Sequence, residues 1–187
     1  MLKTKDLTGT LIKLRIHRAS DADSIYKNIR DKEIRKYTLN IPFPYTKAHA
    51  VDFIKQATTN RKLKSAYEFA ITSTNDNEVI GGISLMNLDW KNKNAELGYW
   101  LGKKYRNKGY ISEAIKLILG FAFNELKLNR ISARLWEKNL ASIKVLKKNK
   151  FKKEGLLREM VFKAGKWQND LVYAVIRKDW VASKLRA

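Results

Sequence analysis

Lys103-Lys104-Tyr105-Arg106-Asn107-Lys108-Gly109-Tyr110 is the run of this chain whose residue types and spacing could do chemistry. Its lysines and arginine gather positive charge, and Gly109 lets the backbone approach a ligand with no side chain in between. After it, Ile111, Ala114, Ile115, Ile118, Phe121, Ala122 and Leu126 recur at helical spacing, which predicts a long amphipathic helix over Ile111 to Leu126. A helix start leaves backbone N–H groups without partners and carries the positive end of the helix dipole. A basic, glycine-containing entry to a helix is therefore a phosphate site in physical terms. The bland reading of the same run is an ordinary strand-to-helix turn with solvated charges. It is not a P-loop, because no Gly-Lys-Ser/Thr follows, and it has only Gly109 of the three glycines of a dinucleotide fingerprint.

The elements that must position this run can be read around it. Ala95 to Leu101 clusters aromatic and aliphatic residues and reads as a strand that Gly102 breaks. Leu11 to Ile16, with Leu11, Leu14 and Ile16 apolar, predicts a first strand. Ser20-Asp21-Ala22-Asp23 caps a helix through about Ile29. Ile34 to Tyr45 holds both prolines, Pro42 and Pro44, and reads as a loop; Thr46 then caps a helix to about Asn60. Tyr67 to Thr72 and Val79 to Met86 form a hairpin through a polar turn at Ser73 to Asn77. A polar connection over Asp89 to Asn94 then leads into the Ala95 strand. Ile131 to Trp136 alternates and is expected to lie parallel to that strand after a helical crossover. Asn139-Leu140-Ala141-Ser142 opens another helix, with Asn139 as cap and Ile143, Val145 and Leu146 inward. A terminal hairpin follows, Leu156 to Phe162 and Asp170 to Ile176 around Ala164-Gly165-Lys166, and the last lysine-rich residues read as a tail. No repeat, low-complexity stretch or linker interrupts this order. The expectation is one domain over residues 1–187, with a core over roughly 9–180.

Composition narrows the classes. Hydrophobic residues are 44% of the 187, which suits a globular fold with a sizeable core. The absence of cysteine excludes disulfides and thiolate chemistry and points to a reducing, cytoplasmic setting. No apolar run reaches the roughly 18 residues of a membrane span, and no signal-peptide pattern is present. Two histidines, His17 and His49, make a histidine-rich metal site an expected absence. Lys and Arg number 39 against 18 Asp and Glu, a net charge of +21. That excess favours polyanions such as RNA or the ribosome. It equally describes a lysine-rich surface that only solvates, because the charge runs along the whole chain.

Arg106-Asn107-Lys108-Gly109-Tyr110-Ile111 resembles the Gln/Arg-x-x-Gly-x-Gly/Ala signature of the GNAT superfamily of acetyl-CoA-dependent N-acetyltransferases. Ile111 stands where that family usually has Gly or Ala. The run Asn139-x-x-Ser142-x-x-Val145-Leu146-x-Lys148-x-x-Phe151 is similar to a second block of the RimJ/RimL-type ribosomal-protein N-terminal acetyltransferases, with Lys150 in place of the usual glycine. Glu96-Leu97-Gly98-Tyr99, Glu154-Gly155 and Asp170-x-x-Tyr173 extend the likeness. The resemblance covers most of the chain and implies an α/β (α+β) GNAT fold. Its mixed, mostly antiparallel twisted sheet has a central parallel strand pair splayed past Leu101 for acetyl-CoA, and helices flank it. The segment Tyr37 to Tyr45 would border the acceptor groove.

What the resemblance implies for chemistry is direct transfer from acetyl-CoA to an amine. Backbone groups of Tyr99, Trp100 and Leu101 would bind the pantetheine arm and the acetyl carbonyl. The N–H groups of Asn107, Lys108, Gly109, Tyr110, Ile111 and Ser112 would hold the pyrophosphate, with charge from Arg106 and Lys108. A donor near Leu101 would stabilise the oxyanion. The tyrosine that many members carry seven residues after the Asn139 position is Leu146 here, so Ser142 is the candidate for contacting the sulfur. The other reading of Ser142 is a helix-start bond to backbone. Tyr173 is a further candidate donor, or a core aromatic. Glu96, placed by alternation on the face opposite Leu97, Tyr99 and Leu101, is the candidate base or a structural carboxylate. Asn139 serves as cap, as cofactor ligand, or as both.

The expected acceptor is a protein N-terminal α-amine of ribosomal type, with the positive charge suited to work beside the ribosome or RNA. Rival expectations are a polyamine or aminoglycoside acceptor, a nucleic-acid-binding protein, and a catalytically silent CoA-binding regulator. No membrane partner is expected, and the oligomer is a monomer or homodimer.

Overall fold

A computed structural model of the chain describes residues 5–39, 41–74 and 77–184. Asn40, in the expected loop, Asn75 and Asp76, in the expected turn, and residues 185–187 of the expected tail lie outside the described residues.

The strands are β1 (Leu7–Thr8), β2 (Ile12–Arg15), β3 (Tyr67–Ser73), β4 (Val79–Asp89), β5 (Asn94–Leu101), β6 (Arg130–Trp136), β7 (Lys152–Lys163) and β8 (Lys166–Ile176). They form one sheet in the order β1-β2-β3-β4-β5-β6-β8-β7, antiparallel throughout except for the parallel pair β5–β6. This is the expected mixed, mostly antiparallel architecture. The helices are α1 (Ala22–Ile29), α2 (Lys32–Tyr37), α3 (Lys47–Leu63), α4 (Tyr110–Gly120), α5 (Leu140–Lys148) and α6 (Arg177–Lys184).

Strand alternation sorts the core into two faces. Along β3, Phe69 and Ile71 join the large cluster with Ala114, Ile115 and Ile118 of α4, whereas Ala70 between them packs with Ile25 of α1 and Ile54 of α3. Helices α1 and α3 therefore cover one face of the sheet and α4 the other. Along β5 the same rule sends Leu97, Tyr99 and Leu101 to the α4 face and Trp100 to the α1–α3 face. Each large aliphatic buried in these layers contributes about 1.5–3 kcal/mol, which makes the burial phase of each strand decisive.

That phase corrects the first strand. Ile12 and Leu14 are fully buried, while Leu11 and Ile16 lie 44% and 45% exposed, so β2 is shorter than expected and its core residues are offset. Three further expectations are revised. The supposed loop from Ile34 begins inside α2, which starts at Lys32 with the Asp31 carboxylate accepting from the Glu33 N–H at 3.1 Å. The helix after the basic run is α-helical only to Gly120. Phe121 to Glu125 widens into a π-turn, with the Leu126 N–H reaching the Phe121 carbonyl. Beyond Ile176 the chain forms α6, whose Trp180 is buried against Phe123 at 5.2 Å between ring centroids.

Two expected caps are present. Thr46 accepts from the His49 N–H at 3.3 Å, and His49 Nδ1 accepts in return from the Thr46 N–H. Asn139 accepts from the Ser142 N–H at 3.2 Å. Lys150, where a glycine would suit the end of α5, adopts φ 66°, the left-handed geometry a glycine favours.

On the α1–α3 face, the buried Arg15 guanidinium takes both oxygens of Asp21 at 2.7 Å, which offsets the desolvation of each. His17 beside them is buried edge-on to Phe53, and neither ring nitrogen has a partner. Burial above all, with Arg15 and Arg61 adding to it against the pull of Asp21, lowers the His17 pKa to about 4. The unfolded chain then binds the extra proton between the ordinary histidine range and about 4, so stability should fall as pH falls through that window. A loss of up to roughly 3 kcal/mol follows from a shift of this size. Urea unfolding of wild type and His17→Phe between pH 7 and 4 checks this: the variant should lose less stability on acidification, and parallel curves would refute the assignment.

Candidate active site

The site begins with a failure of pairing. Strands β5 and β6 match only at Asn94↔Arg130, Ala95↔Ile131 and Glu96↔Ser132. Beyond that point β5 stays paired to β4, and β6 to β8, but not to each other. The seam thus opens after Glu96, earlier than the expected point past Leu101.

Backbone direction alternates along β5. The Gly102 N–H donates to the Ile80 carbonyl at 2.9 Å, so Gly102, and with it Trp100, turns its backbone toward β4. Leu97, Tyr99 and Leu101 then present their N–H and C=O groups to the open seam. Of the expected backbone ligands, Tyr99 and Leu101 fit this edge. Trp100 does not, because its backbone pairs with Gly82 and its indole lies over that glycine; an added Cβ at Gly82 would come within 2.5 Å of the Trp100 Nε1.

At the end of the seam the basic run folds as a short 3-10 turn over Lys103 to Tyr105, then enters α4. Asn107 and Gly109 both take left-handed geometry, φ 63° and 83°, which asparagine and glycine tolerate best. The first helical bond of α4 runs from the Glu113 N–H to the Gly109 carbonyl at 3.0 Å. The amides of Gly109, Tyr110, Ile111 and Ser112 have no acceptor among the described residues, and the positive end of α4 adds its field there. Ile111 packs sideways against the core and leaves the helix start clear. Glu113 fixes the same turn from outside: its carboxylate accepts from the N–H groups of Thr10, Leu11 and Ile12 at 2.6, 2.9 and 3.1 Å.

Arg106 is engaged differently from the expectation. Its Nε donates to the Leu101 carbonyl at 3.3 Å and its guanidinium pairs with Asp31, the cap of α2. The exposed Lys108 immediately precedes the open amides in the chain. Sequence reasoning missed Asp31 because its partner lies 75 positions away. Ser112 is drawn toward α5, its hydroxyl accepting from Asn149 Nδ2 at 3.1 Å.

Two hydroxyls meet on the α4 face of the seam. The Tyr99 hydroxyl is buried and meets no partner in hydrogen-bond geometry; its neighbour is the Ser142 side chain. Burial pushes Tyr99 up to about 12, with Ser142 opposing the rise. The Ser142 side chain makes no bond back to its own helix among the described residues, while its N–H is held by Asn139. Tyr173, also on this face, is only 2% exposed within the main core.

The other face is acidic and aromatic. Glu96 points there, with Oε1 accepting from Arg134 Nε at 3.3 Å and Oε2 from Asn87 Nδ2 at 3.2 Å. Asp170, which β8 pairs with Trp136, shares that face. Helix α2 walls it: the Tyr37 ring meets Trp136 edge-on at 6.1 Å between centroids, and the Lys163 ammonium caps the carbonyls of Arg35 and Thr38. The site is thus a slot through the sheet, with hydroxyls and open amides on one side and carboxylates on the other.

Comparison with known proteins agrees with this geometry. The family described as Acetyltransferase (GNAT) domain matches residues 12–152. The uncharacterized N-acetyltransferase p20 of Bacillus licheniformis is 32% identical over 167 residues, 89% of this chain and 93% of that protein. The ribosomal protein uS5-alanine N-acetyltransferase of Escherichia coli is 27% identical over 124 residues, 66% of this chain and 64% of that enzyme. RimL, a ribosomal L7/L12 alpha-N-protein acetyltransferase solved in complex with coenzyme A, superposes with a TM-score of 0.84 at 20% identity, over 92% of this chain and 98% of its own. At that identity the likeness is one of fold.

A buried hydroxyl without a protein partner costs stability, by about 1–3 kcal/mol for a fully desolvated group. Tyr99→Phe should therefore unfold in urea at the same or a higher midpoint than wild type. A clear drop would mean that the hydroxyl is satisfied within the protein and is not held for a ligand.

Proposed function

The chain belongs to the GNAT acetyltransferase family, and from that premise we propose that it transfers acetyl from acetyl-CoA to the N-terminal α-amine of a protein of the ribosomal kind. The observation that carries the reading is the open seam of β5, which ends at the unpartnered amides of α4. An extended arm needs hydrogen-bond groups along its length and a pyrophosphate needs N–H donors at its end. This chain offers both in sequence.

The residues present fit that cofactor. Leu97, Tyr99 and Leu101 would pair with the pantetheine arm as a strand would, and the amides of Gly109 to Ser112, with Lys108 beside them, would hold the pyrophosphate. Acetyl-CoA, when bound, supplies an acyl group activated on sulfur. The Ser142 hydroxyl, with Tyr99 next to it, would donate a proton to the departing sulfur. The Asn139 cap keeps Ser142 at the first turn of α5. Arg106, bound to Asp31, acts on the loop's shape rather than as a free charge.

Support for the acceptor comes from the named activities of the Escherichia coli relative and of RimL, both of which act on ribosomal proteins. The net charge of +21 suits work close to a polyanion.

Mass spectrometry of alanyl- and seryl-terminated peptides incubated with protein and acetyl-CoA tests the reading. Acetylation of the α-amine is expected. Modification of spermidine or an aminoglycoside instead would replace the acceptor class, and RNA binding without acetyl-CoA binding would end the reading. Gly109→Trp strains a left-handed position and fills the approach to the amides, so calorimetry should show acetyl-CoA binding weakened about 100-fold or more. Ser142→Ala should lower kcat by roughly 10²-fold with cofactor affinity within threefold. Equal turnover would reduce Ser142 to a packing residue.

A further inference from the structure

Among the described residues, Asp170 is a carboxylate at the slot to which the fold gives no hydrogen-bond partner. The residue is only 5% exposed, its Oδ1 is fully enclosed, and the carboxylate makes no hydrogen bond to any described residue. Buried carboxylates are normally paired, because an unpaired one costs several kcal/mol. Its neighbour Glu96 shows the ordinary arrangement, with a guanidinium on one oxygen and an amide on the other. An unpaired buried carboxylate calls for an explanation, and beside an open slot a catalytic role or a bound cation supplies one.

Its position says which ligand. Asp170 pairs with Trp136 at the end of β6, where the strand has already parted from β5, and with Leu157 of β7 on its other side. Alternation along β8 sends Leu171 and Tyr173 to the α4 face, where they belong to the main core, and Asp170 to the opposite one. The charged groups that act on it are Arg134 from β6 and Glu96 from β5; the residues directly across both neighbouring strands are Trp136 and Leu157. The cations of this face are already engaged, Arg134 by Glu96 and Lys163 by the Arg35 and Thr38 carbonyls, which leaves Asp170 as the carboxylate that an entering cation can meet.

We propose that Asp170 is the carboxylate that receives the acceptor amine, pairing with its ammonium from the α1–α3 side of the slot and taking its proton, while Arg134 holds Glu96 in a supporting place. The assignment rests on the acetyl-transfer reading given above. The proton balance is simple. Asp170 accepts one proton from the ammonium, and the freed lone pair forms the C–N bond as the C–S bond breaks with its electrons on sulfur. The new amide nitrogen gives up a second proton, sulfur takes one up, and Asp170 returns its own to solvent. Burial, chiefly, raises the Asp170 carboxyl above its ordinary range; Arg134 opposes the rise and Glu96 adds to it. A base tuned upward is better matched to an ammonium than an exposed carboxylate is.

Asp170→Asn is nearly isosteric and separates a catalytic carboxylate from a structural one. It should lower kcat on an alanyl-terminated peptide by about 10²-fold or more and flatten the acidic limb of the pH–rate profile, with acetyl-CoA affinity within threefold. It should also raise the melting temperature by about 2–5 °C at pH 7, because an unpaired buried charge is gone. Since the folded carboxyl binds its proton more tightly than the unfolded one, wild-type stability should decline as pH rises through the window above the ordinary aspartate range, and the variant should lose that decline. Turnover within threefold of wild type, or a lowered melting temperature with weakened cofactor binding, would overturn the proposal. If wild type leaves the peptide unmodified, the acceptor reading fails separately. Carbon-13 titration of the Asp170 carboxyl with alanine amide as probe then decides: a raised midpoint that moves on probe binding supports the assignment, and an ordinary midpoint sinks it.

Discussion

An extended strand cannot leave its backbone groups unpaired in a protein interior without cost. The molecule is arranged around one place where it does so. Strand β5 is held by β4 along its length, and β6 by β8, yet the two part after three matched residues. Everything near the site follows from keeping that seam open. The β4 side pins Trp100 over Gly82, and the α4 start is anchored by Glu113 to the amides of Thr10, Leu11 and Ile12 at the entry to β2. Leu97, Tyr99 and Leu101 are left facing the gap, in the geometry an added strand would complete.

The sheet also acts as a partition. Helices α1 and α3 lie on one side and α4 on the other, and the polar groups at the slot divide in the same way. Tyr99 and Ser142 stand on the α4 side, Glu96 and Asp170 on the other. On the proposed mechanism, the proton donor and the proton acceptor would stand on opposite sides of the sheet and meet at the slot.

Much of this was legible in the chain and some was not, for definite reasons. The caps Thr46 and Asn139 and the parallel crossover to β6 are local or periodic features, and residue type and pattern announce them. The phase of β2 was missed because Leu11 and Ile16 are as apolar as Ile12 and Leu14, and only tertiary burial separates them. Helix α2 is short and sits just ahead of two prolines, so its signal is lost in the loop signal. The lysines of α6 hide Trp180, the residue that docks it. At the site, the motif suggests a main-chain binding edge at Tyr99 to Leu101, but which of these three residues turns its backbone to the gap depends on register with β4. The Arg106–Asp31 pair and the solitude of Asp170 depend on what lies nearby after folding, which spacing along the chain does not encode.

The Arg106–Asp31 pair has a thermodynamic meaning as well as a structural one. Arg106 sits in the loop that leads to the α4 amides, and Asp31 both binds it and caps α2, the wall beside Trp136. A ligand that draws Arg106 toward itself takes a partner from the carboxylate that caps α2. By reciprocity, a ligand that firms α2 must then alter the hold on the first. An ion pair thus joins the two sides of the slot, and a ligand that shifts Arg106 would be linked thermodynamically to one that shifts α2.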